Sequence, residues 1–253
     1  MLNHRVIPVL QIENERLVKT LKFDRPSYLG DPINAVKIFN EKFVDELVLL
    51  DIGATPQKKS PPYDLIEKIA GEAFMPLSYG GGVSNVEIAR QIFRLGIEKV
   101  VVRSAALEDP QLLRVLCDEF GSSSIVASVD VKRNRRGSYK VFCSNGKFSK
   151  THLWPGIINE FIRHGVGEIL LQSVDSDGTL LGPDLELVKS VGSISTPLVF
   201  SGGVSSIEDM RNILLAGADA VAVGAFFVLH GPHRAPLLTY PDYSVLETEL
   251  GGI

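Results

Sequence analysis

PLSYGGGVSNVEIARQIFRLGIEKVVV at residues 76–102 and PLVFSGGVSSIEDMRNILLAGADAVAV at residues 197–223 are two copies of one pattern. The copies are offset by 121 positions, close to half of the 253-residue chain. Each copy runs from an apolar strand through a glycine turn into an amphipathic helix and a second apolar strand. Self-similarity at a fixed period indicates repeated structural units. The sequence therefore predicts two similar halves, about residues 1–120 and 121–253, within one domain of residues 1–253.

The alternation of strand and helix continues along the rest of the chain. Eight short runs rich in Val, Ile and Leu are predicted to be strands buried on both faces, with amphipathic stretches between them. Such alternation favours a parallel sheet, and eight units in one domain-length chain predict an α/β fold, the (β/α)8 or TIM barrel. The predicted strands are residues 5–10, 46–52, 76–79, 99–103, 124–131, 168–173, 197–201 and 218–224.

Two segments break this alternation. Residues 13–31 are too long and too polar for a tight turn, and we expect a long loop over the C-terminal face of the barrel, where active-site lids lie. Residues 132–150 are expected to form a small hairpin over the same face. Two helix starts, residues 84–87 and 205–208, match the capping-box pattern.

Composition excludes several classes of function. A net charge of −4 gives no basic footprint, so nucleic acid is not an expected partner. No apolar run is long enough to span a bilayer and no signal peptide is visible, so neither a membrane partner nor export is expected. Cys117 and Cys143 are interpreted as reduced thiols of a cytoplasmic protein. No metalloprotease, nucleophile-elbow or Walker motif occurs, so we predict neither a metal nor a nucleotide cofactor.

The glycine turns of the two repeats are candidate phosphate sites. Gly81 and Gly82 follow the third strand, Gly202 and Gly203 follow the seventh, and each pair precedes a helix. Glycine lets backbone N–H groups approach an anion at a helix N-terminus; the alternative is a tight turn that needs glycine only for its positive φ. Two facing sites suggest a long ligand with a phosphate at each end. Residues that would complete them are Arg103 and Ser104 for the first, and Asp177, Gly178, Thr179, Gly224 and Ala225 for the second.

Acidic residues at strand ends are candidates for catalysis, because catalytic groups of barrels lie there. Asp130 ends the fifth strand and is a candidate general acid or base. Its counterpart on the first strand is Gln11, which cannot exchange a proton at neutral pH. Asp51 ends the second strand and is expected to orient Lys19 or a ligand hydroxyl. Asp175 ends the sixth strand, and either Asp51 or Asp175 could substitute for the missing acid, with support of a neighbouring loop as the alternative role.

Four charged residues stand at the beginnings of strands, on the opposite face. They are Arg5, Glu46, Lys99 and Glu168. Two cations and two carboxylates could ring the lower mouth of the barrel. The alternative is ordinary stabilising charge, since that face of a TIM barrel normally serves stability.

Residues 1–227 resemble the cyclase subunit of imidazole glycerol phosphate synthase. The motifs that carry the resemblance are DELVLLD at 45–51, GGGV at 80–83, ASVDVKR at 127–133, GEILL at 167–171, DSDGT at 175–179 and SGGV at 201–204. The resemblance implies a heterodimer with a glutaminase docked on the lower face. Ammonia released there crosses the barrel and attacks a bis-phosphorylated ribulosyl intermediate, giving imidazole glycerol phosphate and an aminoimidazole carboxamide ribotide.

The resemblance also assigns roles to individual residues. All four charges at the lower mouth match the family's ammonia gate. The second catalytic carboxylate of the family falls on Asp130. The first falls on Gln11, and an asparagine beside the first phosphate falls on Arg103. These departures concern cyclisation rather than ammonia transfer.

Three further segments resemble a side branch of the family that is associated with glycosyl amidation. They are LVKTLKF at 17–23, GDPIN at 30–34 and the tail GPHRAPLLTYP at 231–241, whose prolines exclude a continuous final helix. The branch implies service to a sugar amidotransferase in surface-polysaccharide biosynthesis. The hypotheses are therefore amidation of a phosphorylated or nucleotide sugar, an authentic histidine-pathway cyclase, and a non-catalytic phosphosugar-binding scaffold.

Overall fold

Strand pairing closes the sheet into a barrel in the computed structural model, which describes residues 4–253. The strands are β1 (Arg5–Glu13), β2 (Arg16–Leu21), β3 (Asp24–Gly30), β4 (Leu47–Asp51), β5 (Leu77–Gly80), β6 (Lys99–Val102), β7 (Ile125–Arg133), β8 (Tyr139–Val141), β9 (Glu168–Ser173), β10 (Leu198–Ser201), β11 (Ala220–Val223), β12 (Leu229–His230) and β13 (Ala235–Pro236). Strands β1, β4, β5, β6, β7, β9, β10 and β11 pair in parallel in that order, and β11 pairs with β1 to close the ring. The (β/α)8 prediction is confirmed, and each predicted strand overlaps a barrel strand.

Helices surround this barrel and cover its outer surface. They are α1 (Pro32–Glu41), α2 (Tyr63–Glu72), α3 (Val86–Arg94), α4 (Ser104–Glu108), α5 (Gln111–Phe120), α6 (Gly156–Arg163), α7 (Leu185–Lys189), α8 (Ile207–Leu215), α9 (Ala225–Val228) and α10 (Tyr243–Leu250), with a 3₁₀ turn at Ser122–Ser124. Their apolar faces pack on the outward side chains of the strands in one buried cluster. Within residues 4–253, no helix is long and apolar enough to cross a membrane.

The inward face of the strands has three levels along the barrel axis. Side chains alternate along a strand, so on β1 the residues Arg5, Ile7, Val9 and Gln11 share the inner face. Ile7 and Val9 belong to a buried apolar cluster that fills the middle of the barrel. Arg5 therefore lies at the lower mouth and Gln11 at the upper mouth, with apolar side chains between them. The other members of the inner cluster are Val48, Val101, Val126, Leu170, Val199, Ala220 and Ala222.

The long loop predicted for residues 13–31 is wrong. That segment is an antiparallel extension of β1, in which β2 pairs with β1 and β3 pairs with β2. The two connecting turns hold positive φ at both central residues, Asn14 and Glu15 in the first and Lys22 and Phe23 in the second. Glycine and asparagine favour such turns, and only one of these four residues is of that kind, so the sequence signal was weak.

The other predicted irregular segments are confirmed in outline. β8 pairs with residues Val131–Arg133 of β7, and Phe142 bridges to Phe148, so a small hairpin follows the fifth barrel strand. The tail forms the β12–β13 hairpin, and its helix begins only at Tyr243, beyond the last of the three prolines.

The predicted capping boxes are displaced by one residue. Asn85 caps α3 and Ser206 caps α8, rather than the serines that precede them. The Ser206 hydroxyl accepts the N–H of Asp209, and the Asp209 carboxylate accepts the N–H and hydroxyl of Ser205. Because aspartate supplies the reciprocal bond here, the expected partner, Glu208, is not needed.

Candidate functional site

A cavity of about 780 Å³ opens at the C-terminal ends of the barrel strands. The first glycine turn, Gly80 to Gly82, forms one wall. Arg103 and Ser104 lie beside that turn, as predicted for the first phosphate site, and Gln11 reaches the same space from β1. The upper mouth is therefore an open pocket with both polar and apolar lining, large enough for a small-molecule ligand.

Both glycine turns require glycine for two reasons. Gly81 and Gly82 have φ of +133° and +70°, and Gly202 and Gly203 have φ of +124° and +91°. A Cβ at Gly81 would lie 2.5 Å from the carbonyl oxygen of Asp51, and one at Gly202 would lie 2.8 Å from that of Ser173. Each turn thus closes on the end of the preceding barrel strand, which is the same contact in both halves.

The second glycine turn encloses little space. A pocket of about 10 Å³ lies between Gly202 and Gly203 on one side and Gly178 and Gly224 on the other. Asp177 and Ala225 also line it, as predicted, whereas the Thr179 hydroxyl donates to the carbonyl of Ser176 within its own loop. The structure therefore brings together most residues of the predicted second site, around a pocket of small volume.

Gln11 holds the β1–β2 hairpin in place. Its side-chain oxygen accepts a hydrogen bond from the Thr20 N–H at 3.0 Å and lies 3.1 Å from the Thr20 hydroxyl oxygen. The Lys19 ammonium lies 3.4 Å from the same oxygen. Gln11 also borders the large cavity, so a structural clamp and the candidate catalytic position coincide.

Lys19 pairs with Asp177, and the expected partnership with Asp51 is wrong. The buried Lys19 ammonium lies 2.7 Å from one Asp177 oxygen, and the Thr20 hydroxyl donates to the other at 2.8 Å. Burial lowers the pKa of Lys19, although Asp177 acts in the opposite direction. The hairpin is thereby joined to the loop that follows β9, at the edge of the second glycine turn.

Asp51 and Asp175 serve the loops next to them. Asp51 accepts the N–H groups of Gly53 and Ala54 at 2.9 and 3.0 Å, and burial raises its pKa. Asp175 accepts the N–H of Arg133 at 2.8 Å. Both contacts agree with the alternative role as loop supports, and Asp51 additionally borders the cavity.

Asp130 is the buried acid of the upper mouth. It is fully buried, and Arg103 forms an ion pair with one of its oxygens. The other oxygen has no hydrogen-bond partner within the described part of the chain. Burial raises the pKa of Asp130, Arg103 acts to lower it and Asp177 raises it further. A carboxyl group with a raised pKa and a free oxygen is suited to proton transfer.

The four predicted charges form a closed ring at the lower mouth. Arg5 lies 2.7 Å from Glu46 and 2.6 Å from Glu168, while Lys99 lies 2.9 and 3.6 Å from the same two carboxylates. Burial acts to lower the pKa of Arg5, but the two glutamates outweigh it and the pKa is raised. Burial acts to raise the pKa of Glu46, but Lys99 and Arg5 outweigh it and the pKa is lowered.

Two exposed phenylalanines lie on the same lower face, and sequence reasoning missed them. Phe43 follows α1 and Phe74 follows α2, with 84% and 88% of their surface exposed. The Asn40 side chain links the two loops, because it accepts the N–H of Phe74 at 3.0 Å and donates to the carbonyl of Glu72 at 2.7 Å. With Leu181, they are the most exposed large apolar side chains of the described residues, and this exposure is a signal that only the structure supplies.

Three polar residues of the upper mouth were also missed. Thr20 bridges Gln11 and Asp177, and the Gln172 amide donates to the hydroxyl of Ser128 at 3.2 Å. Ser128 and Gln172 point into the barrel because side chains alternate between the two faces of β7 and β9. This alternation could have identified both residues from the sequence. Among residues 4–253, no cluster of three or more His, Cys, Asp or Glu side chains could hold a metal ion.

Fold and site together define a (β/α)8 barrel built for a small-molecule ligand, with paired glycine turns on one face and a charged ring on the other. A family model described as "Histidine biosynthesis protein" matches residues 5–232. The chain belongs to that family, in which it is a relative of the HisF subunit of imidazole glycerol phosphate synthase.

Similar proteins cover nearly the whole chain. A provisionally named imidazole glycerol phosphate synthase subunit hisF2 from Pseudomonas aeruginosa is 46% identical over 252 residues, which is 98% of this chain and 99% of that protein. A provisionally named subunit HisF from Leptospira interrogans is 44% identical over 96% of each chain. Imidazole glycerol phosphate synthase subunit HisF from Helicobacter hepaticus is 37% identical over 88% of this chain and 89% of its own.

Proposed function

We propose that this barrel receives ammonia from a partner glutaminase and uses or relays it for the amidation of a phosphorylated or nucleotide sugar in surface-polysaccharide biosynthesis. The observation that carries the proposal is the order of groups along the barrel axis. A closed ring of charges lies at the lower mouth, apolar side chains fill the middle, and Asp130 lies at the upper mouth. The relatives named as synthase subunits support the ammonia-handling part.

The middle of the barrel favours passage of a small neutral molecule. TIM-barrel interiors are usually filled by bulky branched side chains, whereas β11 contributes Ala220 and Ala222 here. Ammonia can cross such an apolar region, while ammonium would lose its hydration at a large cost. An ion pair of the ring must open for ammonia to enter. Arg5 is the most exposed of the four ring residues, with 33% of its side chain accessible.

The upper mouth supplies one proton-transfer group rather than two. Asp130 has an unpartnered oxygen, while Gln11 is neutral and its side-chain oxygen is occupied by Thr20. Cyclisation that needs two opposed carboxylates lacks one of them. We therefore propose that Asp130 takes or gives the proton of the ammonia-derived group, while Gln11 orders the hairpin beside it.

The substrate is proposed to bind through phosphate in the glycine turns. Gly81, Gly82 and Ser104 would hold the group that enters the large cavity, with Arg103 beside Asp130. The second turn, Gly202 and Gly203, would hold a second anion together with Gly178 and Gly224, after the small pocket widens. Lys19 is proposed to support that end through Asp177, and Asp51 to order the loop at the first end.

The glutaminase is proposed to dock on the lower face, around the charged ring. Phe43 and Phe74 present apolar surface beside the strand entrances of that face. Exposed aromatic side chains are the residues that most often dominate protein–protein binding energy. The double variant Phe43→Ser/Phe74→Ser should fold normally and lose glutaminase binding by calorimetry, whereas Tyr28→Ser, on the exposed strand β3 of the upper face, should bind normally.

The deciding experiment is ammonium-dependent turnover of the bis-phosphorylated ribulosyl intermediate without any glutaminase. Wild type, Gln11→Asp and Gln11→Glu are compared. We expect no turnover by wild type and a gain in at least one carboxylate variant. General acid–base help is worth about 10²–10⁴-fold, so the gain should be measurable.

The other outcomes favour the other hypotheses. Wild-type turnover near 1 s⁻¹, an ordinary biosynthetic rate, would establish a histidine-pathway cyclase. Binding of the intermediate without turnover by any variant, together with no transfer of ¹⁵N from labelled ammonium to sugar in the presence of a sugar amidotransferase, would establish a non-catalytic scaffold.

A further inference from the structure

The tail of the chain places Arg234 against Gly178, in the loop that borders the second glycine turn. It lies in the turn between β12 and β13 and has a φ of +53°. Its guanidinium donates a hydrogen bond to the carbonyl of Gly178, which lines the small second pocket. No role in the family or in the proposed function has so far been attached to this residue.

A second cation, Lys19, lies near Arg234. Lys19 lies close enough that Arg234 contributes to the lowering of the Lys19 pKa. Asp177 is the carboxylate of this region, and both of its oxygens are engaged by Lys19 and Thr20. Among the described residues, Arg234 forms no ion pair with a carboxylate. The Arg234 guanidinium has five N–H donors, and it uses one of them for the neutral carbonyl of Gly178.

We infer that Arg234 is an anion ligand of the second glycine turn, and that it exchanges the Gly178 carbonyl for an oxygen of a bound phosphate. The inference rests on the phosphate binding proposed above and names the residue that encloses one of its two ends. A phosphate offers Arg234 an oppositely charged acceptor that can bind in a bidentate manner, whereas the Gly178 carbonyl is a single neutral acceptor, so the exchange is favourable.

Space at the second turn explains why Arg234 must move. The pocket of about 10 Å³ is near the minimum that accommodates one water molecule, so a phosphate needs more room. The Lys19 side chain borders the other side, since its Cε lies 3.2 Å from the position of a Cβ on Gly224. Lys19 is fixed by Asp177, whereas Arg234 is half-buried in the turn of an exposed hairpin.

The test is a titration of the ¹⁵N-labelled chain with inorganic phosphate, followed by backbone amide shifts. The amides of Gly81 and Gly82 report on the first turn, and those of Gly202 and Gly203 report on the second. We expect Arg234→Ala to weaken phosphate binding at the second turn by about 10- to 100-fold, the usual worth of hydrogen bonds to a charged group. Binding at the first turn should change less than twofold.

Two variants separate a specific contact from the loss of charge or fold. Arg211→Ala removes the same charge from the exposed surface of α8 and should leave both dissociation constants unchanged. Arg234→Lys keeps the charge and should retain part of the affinity. Thermal melting checks that each variant folds.

The results separate this inference from the proposed function. An unchanged affinity at Gly202 and Gly203 in Arg234→Ala overturns the assignment of Arg234, and the two-site proposal survives. Phosphate shifts in wild type that are confined to Gly81 and Gly82 also overturn the assignment, while one phosphate end remains. The absence of shifts at both turns overturns the inference together with the phosphate sites on which it rests.

Discussion

The two glycine turns have similar backbone conformations but border pockets of very different volume. Each has positive φ at two glycines, and each closes on the end of the preceding barrel strand. The first borders a cavity of about 780 Å³, whereas the second encloses about 10 Å³. A repeated turn therefore does not imply a repeated binding site.

Segments outside the repeat produce this difference. The first turn faces the loop after β4, where Ala54 and the carbonyl of Lys59 approach Gly82. The second faces residues of the β1–β2 hairpin and the tail, which bring Lys19 and Arg234 against it. The repeat preserves the geometry that glycine alone allows, and the inserted segments decide how much room a ligand finds.

The largest expected effect is the loss of unfolding free energy when a Cβ is added to either turn, which tests how closely each turn packs against neighbouring backbone. Gly203→Ala would overlap the carbonyl of Gly182 and keep a positive φ, so we expect a loss of about 3 kcal/mol or more in unfolding free energy. Gly81→Ala should cost a similar amount, because its Cβ would lie 2.5 Å from the Asp51 carbonyl oxygen. Urea unfolding measures both.

Gly121→Ala is the matched control for these two variants. Gly121 has a φ of +87° and a ψ of +143° with open space around it, so only the backbone strain remains, about 1–3 kcal/mol. Equal losses of unfolding free energy at all three positions would mean that the turns need glycine only for its positive φ. The close approach of neighbouring backbone to Gly81 and Gly203 would then have no energetic effect.

The next largest effect is the loss of stability when the ion pair between Arg103 and Asp130, beside the first turn, is broken. Arg103→Ala leaves buried Asp130 unpaired, which should cost about 2–3 kcal/mol at pH 8. The pKa of Asp130 is already raised by burial and rises further in the variant. A group with a raised folded pKa favours the fold below its unfolded pKa and loses that contribution as pH rises through the folded pKa, so the deficit should grow from acid to alkaline pH.

Denaturation of wild type and Arg103→Ala across pH 4–9 measures this trend. The double variant Arg103→Ala/Asp130→Asn removes the unpaired charge and should abolish the pH dependence of the deficit. A deficit that is constant with pH would show that Arg103 acts through packing alone.

A smaller effect is expected at the clamp that attaches the hairpin near the second turn. Gln11→Ala removes the acceptor of the Thr20 N–H and a polar neighbour of the Thr20 hydroxyl, which should cost about 1–2 kcal/mol. Amide exchange at Thr20 should accelerate accordingly. Gln172→Ala, which loses one bond to Ser128, should leave Thr20 exchange unchanged; equal acceleration in both variants would contradict a specific clamp.

The smallest effect lies at the charged ring, away from both turns. Neighbouring cations hold the pKa of Glu46 below its ordinary 4.5, so its stabilising contribution is present above that pH and is lost as pH falls through the lowered folded pKa. Glu46→Gln keeps a side-chain acceptor and removes the charge, so it should cost about 1 kcal/mol at pH 7 and less at pH 3. Acid denaturation measures it, with exposed Glu41→Gln as the control, and phosphate shifts at either turn should stay unchanged.

Patterns that are local in the sequence predicted the fold and much of the site. The glycine turns and the lower ring follow from the strand period, because residues at fixed positions of barrel strands share one mouth. The partner of Lys19 did not follow, since Asp177 lies 158 positions along the chain and no local pattern selects it over Asp51. The hairpin was missed because Glu15, Lys22 and Phe23 adopt positive φ without being glycine or asparagine.

The clamp formed by Gln11 makes substitutions at positions 11 and 20 interdependent. An aspartate at position 11 is shorter by one methylene, so the Thr20 N–H and hydroxyl would lose their acceptor as the new acid is gained. A change at Thr20 also removes its hydrogen bond to Asp177, so its cost should fall but not vanish once Gln11 is gone, and such contacting pairs are not additive. The order in which the two changes are made therefore decides which intermediates fold, and a survey of single substitutions would underestimate how many sequences can carry an acid at this position.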